Sequence, residues 1–192
     1  MRCQGMLLSS ALILALLIPA AGASAGEPTE QIRADIDALY RSVNGQAGQR
    51  NGSARAVVDR MFDWTAMAEA SLRDHWQKRT AAERTEFTGL FADLFARAYV
   101  SRINLVDARS FQYLGDATVG DRSTVKTKVL TKRGSTIDVE YVVQATPARR
   151  WHVQDVRVES MSLVDNYRVQ FDTVIGKASY DELVRRLRAA VK

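Results

Sequence analysis

The sequence predicts an α+β domain in which helices from both ends of the chain pack against an antiparallel sheet. Two observations lead to this fold class. Apolar residues recur at helical spacing before residue 100 and after residue 162, whereas the stretch between about 110 and 160 reads as strands separated by short turns. Connections this short join antiparallel neighbours, so we expect a curved four-stranded sheet that encloses an apolar cavity.

The first 25 residues have the pattern of a secretory signal peptide. Arg2 supplies a positive charge, residues 6–21 form an apolar run, and Ala23-Ser24-Ala25 offers a cleavage site before Gly26. The apolar run is short for a membrane span of ~20 residues, which favours cleavage over anchoring. We therefore predict a signal peptide at 1–25 and a single exported domain at 26–192.

Composition and charge exclude several classes of protein. The formal net charge of +5 over 192 residues is mildly basic, but no nucleic-acid-binding motif accompanies it, and we expect no nucleic-acid partner. The single cysteine, Cys3, lies in the predicted signal peptide, so the exported domain would contain no disulfide and no thiolate metal site. Such a domain must be stabilised by its own apolar core.

The helices are predicted from apolar stripes and from residues that can cap their N-termini. The longest stripe has i, i+3, i+4 spacing and contains Phe87, Leu90, Phe91, Leu94, Phe95, Ala98 and Tyr99. The predicted N-caps are Ser53, Asp63, Thr80, Ser162 and Ser179. Thr80 and Ser179 are each followed three positions later by a glutamate, which is the pattern of a capping box. Residues 44–52 are predicted to be a loop.

The four strands are predicted at about 110–119, 122–132, 136–146 and 150–160. Alternation along the third strand places Ile137, Val139, Tyr141, Val143 and Ala145 on one face. Along the fourth strand, it places Trp151 and Val153 on one face and Val156 and Val158 on the other.

Asp155 and His75 are the candidates for catalysis, and His152 is the other histidine. Asp155 lies among valines in the fourth strand, His75 lies at the edge of an apolar helix face, and His152 alternates outward. A small cone-shaped enzyme acting on an apolar substrate would need two converging titratable groups, and these residues offer no convincing pair. We favour structural roles for them and predict no catalytic residue, no metal site and no cofactor.

Local motifs along the chain resemble one known family. They are Phe62-Asp63 with Met67-Ala68 and Leu72, His75-Trp76, the helical set Phe87, Phe91, Leu94 and Tyr99, Val139-x-Tyr141, Trp151-x-Val153-x-Asp155-Val156, Ser162-Leu163-Val164 and Asn166-Tyr167-Arg168-x-Gln170-Phe171. In this order, and over about residues 30–190, they resemble the MlaC family, also called the toluene-tolerance family, of periplasmic phospholipid-binding proteins.

The resemblance implies a monomeric carrier in the periplasm rather than an enzyme. Such a carrier shuttles a phospholipid between an outer-membrane lipoprotein complex and an inner-membrane ABC transporter complex, with the acyl chains buried. The candidate lipid-contacting residues, taken from the inward-facing positions, are Phe62, Met67, Leu72, Phe91, Phe95, Tyr99, Val139, Tyr141, Val143, Val156, Val158, Leu163, Tyr167, Phe171 and Val174. Periodicity alone does not separate residues that contact a ligand from ordinary core residues.

The sequence departs from the family pattern at several positions. Arg73 follows Leu72 where the family usually has glycine, and Ala81 follows Thr80 where it often has proline. These departures leave the identity of the lipid open, and a hopanoid is an alternative cargo because one branch of the family is associated with hopanoid-producing bacteria. Two other hypotheses remain, the cone-shaped enzyme and an adaptor that bridges membrane complexes and has a filled core.

Overall fold

The computed structural model describes residues 26–44, 50–148 and 150–192. The predicted signal peptide, including Cys3, therefore lies outside the described residues. The α+β fold class is confirmed, because helices from both ends of the chain pack around a single open antiparallel sheet. No helix in these three stretches combines the length and the apolar character needed to cross a membrane.

Four helices precede the sheet and two follow it. Their bounds are α1 Glu27–Asn44, α2 Arg50–Met61, α3 Trp64–Leu72, α4 Ala81–Val106, α5 Leu163–Lys177 and α6 Tyr180–Ala190, with a 3-10 helix at Arg73–Lys78. The strands are β1 Ala108–Val119, β2 Arg122–Thr131, β3 Thr136–Ala145, β4 Trp151–Val158 and β5 Met161–Ser162. They lie side by side in chain order, and each pairs with its neighbour in antiparallel register.

The prediction of four strands was wrong, because the sheet has five. β5 is only two residues long and pairs Ser162 with Arg157 and Met161 with Val158. The turn between β4 and β5 places Glu159 and Ser160 at positive φ, 49° and 66°. Tight hairpin turns of this geometry usually contain Asn or Gly, so a Glu-Ser pair gives no hairpin signal.

The predicted facing of β4 was also wrong. Val143 of β3 lies opposite Val153, whereas its neighbour Val142 lies opposite Asp155, so β4 has one extra residue at this point. Such a bulge reverses the alternation of side chains beyond it. As a result Val156 lies opposite Tyr141 on the same face as Val153, and all four apolar residues of β4 face the helices.

Most of the predicted helix caps are confirmed. Asp63 accepts a hydrogen bond from the Ala66 backbone, Thr80 forms a complete capping box with Glu83, and Ser162 accepts from the Asp165 backbone. Ser179 also caps its helix, although the Glu182 carboxylate binds Arg185 and Arg186. Ser53 is not a cap, because α2 already begins at Arg50. The predicted loop at 44–52 is wrong at both ends, since residue 44 belongs to α1 and residues 50–52 to α2; residues 45–49 lie outside the described residues.

Polar contacts fasten α1 to the sheet and to α2. The Gln31 side chain both donates to and accepts from the Trp151 backbone, at 2.5 and 2.9 Å. Asp35, which is 4 % exposed, accepts from Arg60 of α2 at 3.3 Å and from Arg150, just before β4, at 3.3 Å. Because charge-assisted hydrogen bonds are the stronger ones, this carboxylate fixes the middle of α1 over the sheet.

Arg73, one of the departures from the family pattern, occupies a strained backbone position. It ends α3 with φ 46° and ψ −115°, a region that side chains with a Cβ rarely adopt. Glycine adopts it without a steric penalty, which gives a physical reason for glycine at this position in the family. The fold is retained here at the cost of local strain.

We predict that Arg73→Gly raises the stability of the protein. Relief of a strained φ/ψ pair is worth roughly 1–3 kcal/mol, less the roughly 0.5–1 kcal/mol that glycine costs through the unfolded chain. Thermal or urea unfolding measures the change. Arg73→Ala is the matched control, because it removes the same side chain and keeps the strain; an equal gain in both variants would contradict the explanation.

Candidate functional site

An apolar cavity of about 380 Å³ lies between the sheet and the helices α1 and α4. Its floor comes from all four long strands, and its walls come from α1, the last turns of α4 and the first residue of α5. The lining residues are Ile36, Tyr40, Tyr99, Arg102, Ile103, Leu105, Val106, Ala108, Phe111, Val129, Ile137, Val139, Tyr141, Val156, Val158 and Leu163. Arg102 is the only charged residue among them, so the interior favours a hydrocarbon ligand over a polar one.

Three tyrosines bring hydroxyl groups to this lining. Tyr40 donates to the Ala108 carbonyl at 2.8 Å, which ties α1 to the start of β1. The hydroxyls of Tyr99 and Tyr141 lie 3.2 Å apart, and both residues are buried. Burial raises the pKa of Tyr99 and of Tyr141, so both keep their protons throughout the neutral range.

A second cavity of about 340 Å³ adjoins the first and is more polar. It lies between α4 and α5, and its lining residues are Leu94, Phe95, Ala98, Tyr99, Arg102, Leu163, Asn166, Tyr167 and Gln170. Tyr99, Arg102 and Leu163 line both cavities and form their shared wall. Arg102 is exposed, and it forms no salt bridge with an acidic side chain among the described residues.

Aromatic rings fill the part of the core that continues from these cavities. The rings of Phe87, Phe91, Phe95 and Tyr99 lie in a row along α4, with the centroids of successive rings 5.8–6.1 Å apart. Tyr167 of α5 packs against Phe91 and Phe95, and Phe171 of α5 packs against Phe87 and Phe91. Phe171 and Tyr167 also contact one another at 5.6 Å.

The predicted lipid-contacting residues therefore fall into two groups. Those that line a cavity are Phe95, Tyr99, Val139, Tyr141, Val156, Val158, Leu163 and Tyr167. Those that lie in or against the packed core, outside the lining of these two cavities, are Phe62, Met67, Leu72, Phe91, Val143, Phe171 and Val174. Contact between lipid and either group remains a prediction.

Sequence reasoning missed more than half of the lining of the apolar cavity. The missed residues are Ile36, Tyr40, Arg102, Ile103, Leu105, Val106, Ala108, Phe111, Val129 and Ile137. Ile36, Tyr40 and Ile137 lie on faces that the periodicity marks as inward, but nothing in a periodic pattern separates a cavity wall from a packed wall. Leu105 differs from these residues, because it lines the apolar cavity and is nevertheless 79 % exposed to solvent.

Asp155 and His75, the two catalytic candidates, and the other histidine, His152, each have different structural partners. Asp155 accepts a hydrogen bond from the Val164 backbone at 3.2 Å and so caps α5 together with Ser162. His75 contacts Asp172 of α5 at 2.8 Å. His152 lies in β4 opposite Gln144. Among the described residues, no group of three His, Cys, Asp or Glu side chains is placed to hold a metal ion.

Asp155 is a helix cap whose charge is partly desolvated. Burial raises its pKa above the usual value, and the hydrogen bonds from Ser162 and the Val164 backbone only partly offset that effect. Its carboxyl group therefore favours folding most below its ordinary pKa of about 3.9, and this contribution is lost as the pH rises through the folded-state pKa.

We predict that Asp155→Asn is well tolerated at neutral pH and that Asp155→Ala is not. Asparagine keeps an oxygen that can accept from the Val164 backbone and carries no charge to desolvate, whereas alanine removes the cap at a cost of about 0.5–2 kcal/mol. Thermal unfolding between pH 3 and pH 7 measures both variants. Equal destabilisation by both would show that the negative charge, and not the cap, is what Asp155 contributes.

A family model described as MlaC protein matches residues 29–189 of this chain. Among solved structures, the chain is similar to a phospholipid-binding protein from Ralstonia solanacearum, determined in complex with a phospholipid. The TM-score is 0.74 at 19 % sequence identity, and the match covers 86 % of this chain and 97 % of that chain. The shared feature at this identity is the fold. No curated protein matches the sequence.

Proposed function

This chain belongs to the MlaC family, and from this premise we propose that it is a lipid-binding carrier. Its cargo is a phospholipid whose acyl chain enters the apolar cavity under α1. The observation that carries the proposal is the lining of that cavity, which is apolar except for Arg102 and the tyrosine hydroxyls. The phospholipid in the Ralstonia solanacearum protein of similar fold supports this choice of cargo over a hopanoid.

The size of the cavity matches a single acyl chain. At roughly 30 Å³ for a group the size of a water molecule, 380 Å³ takes about a dozen methylenes. Each buried methylene is worth ~0.8 kcal/mol, so filling the cavity returns about 10 kcal/mol to a chain that leaves a membrane. This free energy is most of the cost of transferring a sixteen-carbon chain from the membrane to water.

The second cavity provides a place for the polar end of the lipid. It shares a wall with the apolar cavity and offers the guanidinium of Arg102 and the side chains of Asn166 and Gln170. An amphiphile with its tail in the first cavity reaches this cavity across Tyr99 and Leu163, which line both. Arg102 then provides the positive charge that a lipid phosphate requires.

The same observations favour a carrier over the other two hypotheses. The two titratable candidates for a cone-shaped enzyme are engaged in contacts with α5: Asp155 with the Val164 backbone and His75 with Asp172. An adaptor with a filled core would not keep 380 Å³ of apolar space. As a carrier, the exported protein acts as a monomer in the periplasm and exchanges lipid with an inner-membrane ABC transporter complex and an outer-membrane lipoprotein complex.

The test is the mass of whatever co-purifies with the protein. We expect native mass spectrometry of gently purified protein, or of protein incubated with phospholipid vesicles, to show one bound phospholipid. Ile137→Trp places a larger side chain in the cavity lining, and we expect it to lower the bound fraction to less than half.

Val119→Trp is the matched control, because Val119 is 82 % exposed at the end of β1 and lies outside the lining of both cavities. It should bind lipid as the unmodified protein does. Absence of lipid from the unmodified protein, both as purified and after exposure to vesicles, would overturn the proposed function.

A further inference from the structure

Three tyrosines whose hydroxyls are buried bring more hydroxyl hydrogens together than the protein uses. Tyr99 and Tyr141 line the apolar cavity, and their hydroxyls lie 3.2 Å apart. Tyr113 of β1 lies within electrostatic reach of both, and its buried hydroxyl has no hydrogen-bond partner among the described residues. We refer to these three residues as the tyrosine cluster.

The balance of donors and acceptors in this cluster is uneven. The contact between Tyr99 and Tyr141 uses one hydroxyl hydrogen, and the hydroxyl that accepts keeps its own. Neither residue has a second hydrogen-bond partner among the described side chains and backbone groups. Burial raises the pKa of all three hydroxyls, so none of them loses its hydrogen near neutral pH.

A buried hydroxyl without a partner destabilises the protein, whereas phenylalanine at the same position avoids that cost. A cavity that held only hydrocarbon would therefore be better lined by phenylalanine. Tyr40, in the same lining, shows the contrast, because its hydroxyl is satisfied by the Ala108 carbonyl. The spare hydrogen of the Tyr99–Tyr141 pair, which lines the cavity, therefore calls for an acceptor that comes with the ligand.

We propose that the Tyr99–Tyr141 pair donates its spare hydroxyl hydrogen to an ester carbonyl of the bound lipid. This inference rests on the proposed function and makes it more specific, because it assigns the cargo to ester-linked glycerolipids. An ester carbonyl accepts without bringing a charge into the apolar cavity, and it lies between the acyl chain and the headgroup. Tyr99 occupies the corresponding place, since it lines both the apolar and the polar cavity.

Matched ester and ether phospholipids with identical chains and headgroups test this proposal. The ether lipid lacks the carbonyl oxygens, so the unmodified protein should bind the ester lipid about two- to tenfold more tightly. Tyr99→Phe and Tyr141→Phe should each reduce that preference. Tyr40→Phe is the control, because it removes a hydroxyl of the same cavity that is already bonded within the protein.

The outcomes separate this proposal from the proposed function. Equal affinity of the unmodified protein for the two lipids, or equal loss of preference in Tyr40→Phe, would overturn the ester contact and leave the carrier intact. Failure of both lipids to bind would instead overturn the carrier. Infrared spectra of bound lipid with ¹³C-labelled carbonyls give a second measurement: we expect a shift to lower frequency than in hydrocarbon solvent, and its absence would also overturn the contact.

A separate observation concerns the start of α1. The backbone nitrogen of Gly26 donates to Asp116 of β1 at 3.0 Å, and Thr29 donates to the same carboxylate at 2.5 Å. A Cβ atom on residue 26 would lie only 2.6 Å from an Asp116 oxygen, so any larger residue here would displace this carboxylate. Gly26 is also the first residue after the cleavage site predicted from the sequence.

We infer that Asp116 binds the α-ammonium group created when the signal peptide is cleaved before Gly26. Cleavage converts the amide nitrogen into a charged group with additional donors, and a carboxylate at 3.0 Å forms an ion pair with it. The carboxylate also offsets the unfavourable placement of a positive charge at a helix N-terminus. Since α1 provides Ile36 and Tyr40 of the apolar cavity, cleavage would fasten one wall of that cavity.

Four proteins test this inference without any lipid: chains that begin at Gly26 or at Ala25, each with Asp116 or with Asp116→Asn. We expect the extra residue to lower the Tm by about 2–4 °C when Asp116 is present and to have no effect with Asp116→Asn. An equal effect in both backgrounds would overturn the ion pair, as would an exported protein whose N-terminus, by mass, is not Gly26.

Should Asp116→Asn fail to fold, hydrogen exchange keeps the inference testable. With Asp116 intact, the chain that begins at Ala25 should exchange the first-turn amides of α1 faster than the chain that begins at Gly26. The amides of α6, at the other end of the protein, are the internal control. Identical exchange in α1 would overturn the inference.

Discussion

The packing of aromatic rings along α4 is the interaction on which the rest of the structure depends. Phe87, Phe91 and Phe95 are almost completely buried and pack against the aromatic residues of α5, so one side of the molecule has an ordinary close-packed core. The row of rings ends at Tyr99, which lines both cavities, and the last turns of the same helix line the apolar cavity. A single helix of 26 residues therefore joins the filled part of the domain to the hollow part.

α1 covers the apolar cavity, so it has fewer apolar contacts with the sheet than a helix above a packed core would have. Polar contacts hold it in place instead. Ile36 and Tyr40 face the apolar cavity, while Asp116 holds the first turn, Asp35 holds the middle and the Tyr40 hydroxyl holds the last turns. Hydrogen bonds to charged groups are worth about 1.5–3 kcal/mol each, comparable with the burial of an apolar side chain. These contacts hold α1 in place above the cavity without filling the space between α1 and the sheet.

The sequence was sufficient to predict the fold class and most element boundaries, because these follow from local rules. Aspartate, threonine and serine side chains accept hydrogen bonds from the free backbone N–H groups at the start of a helix, as Asp63, Thr80 and Ser162 do here. The errors come from tertiary choices: the bulge in β4 depends on pairing with β3, and β5 exists only because β4 lies beside it. The cavity was missed in part for a related reason, since Ile36 and Ile103 have the same periodicity whether the space beside them is filled or empty.

The shared wall between the two cavities limits what they can hold. Two sixteen-carbon chains contain about 32 carbons, whereas 380 Å³ takes about a dozen groups of roughly 30 Å³, and adding the second cavity only about doubles that. A diacyl phospholipid with both chains buried thus requires the wall formed by Tyr99, Arg102 and Leu163 to move and the combined space to widen. Leu163 is the first residue of α5, and Tyr167, one turn further on, packs against Phe95 of α4, so a displacement of the start of α5 away from α4 would act on this ring contact first.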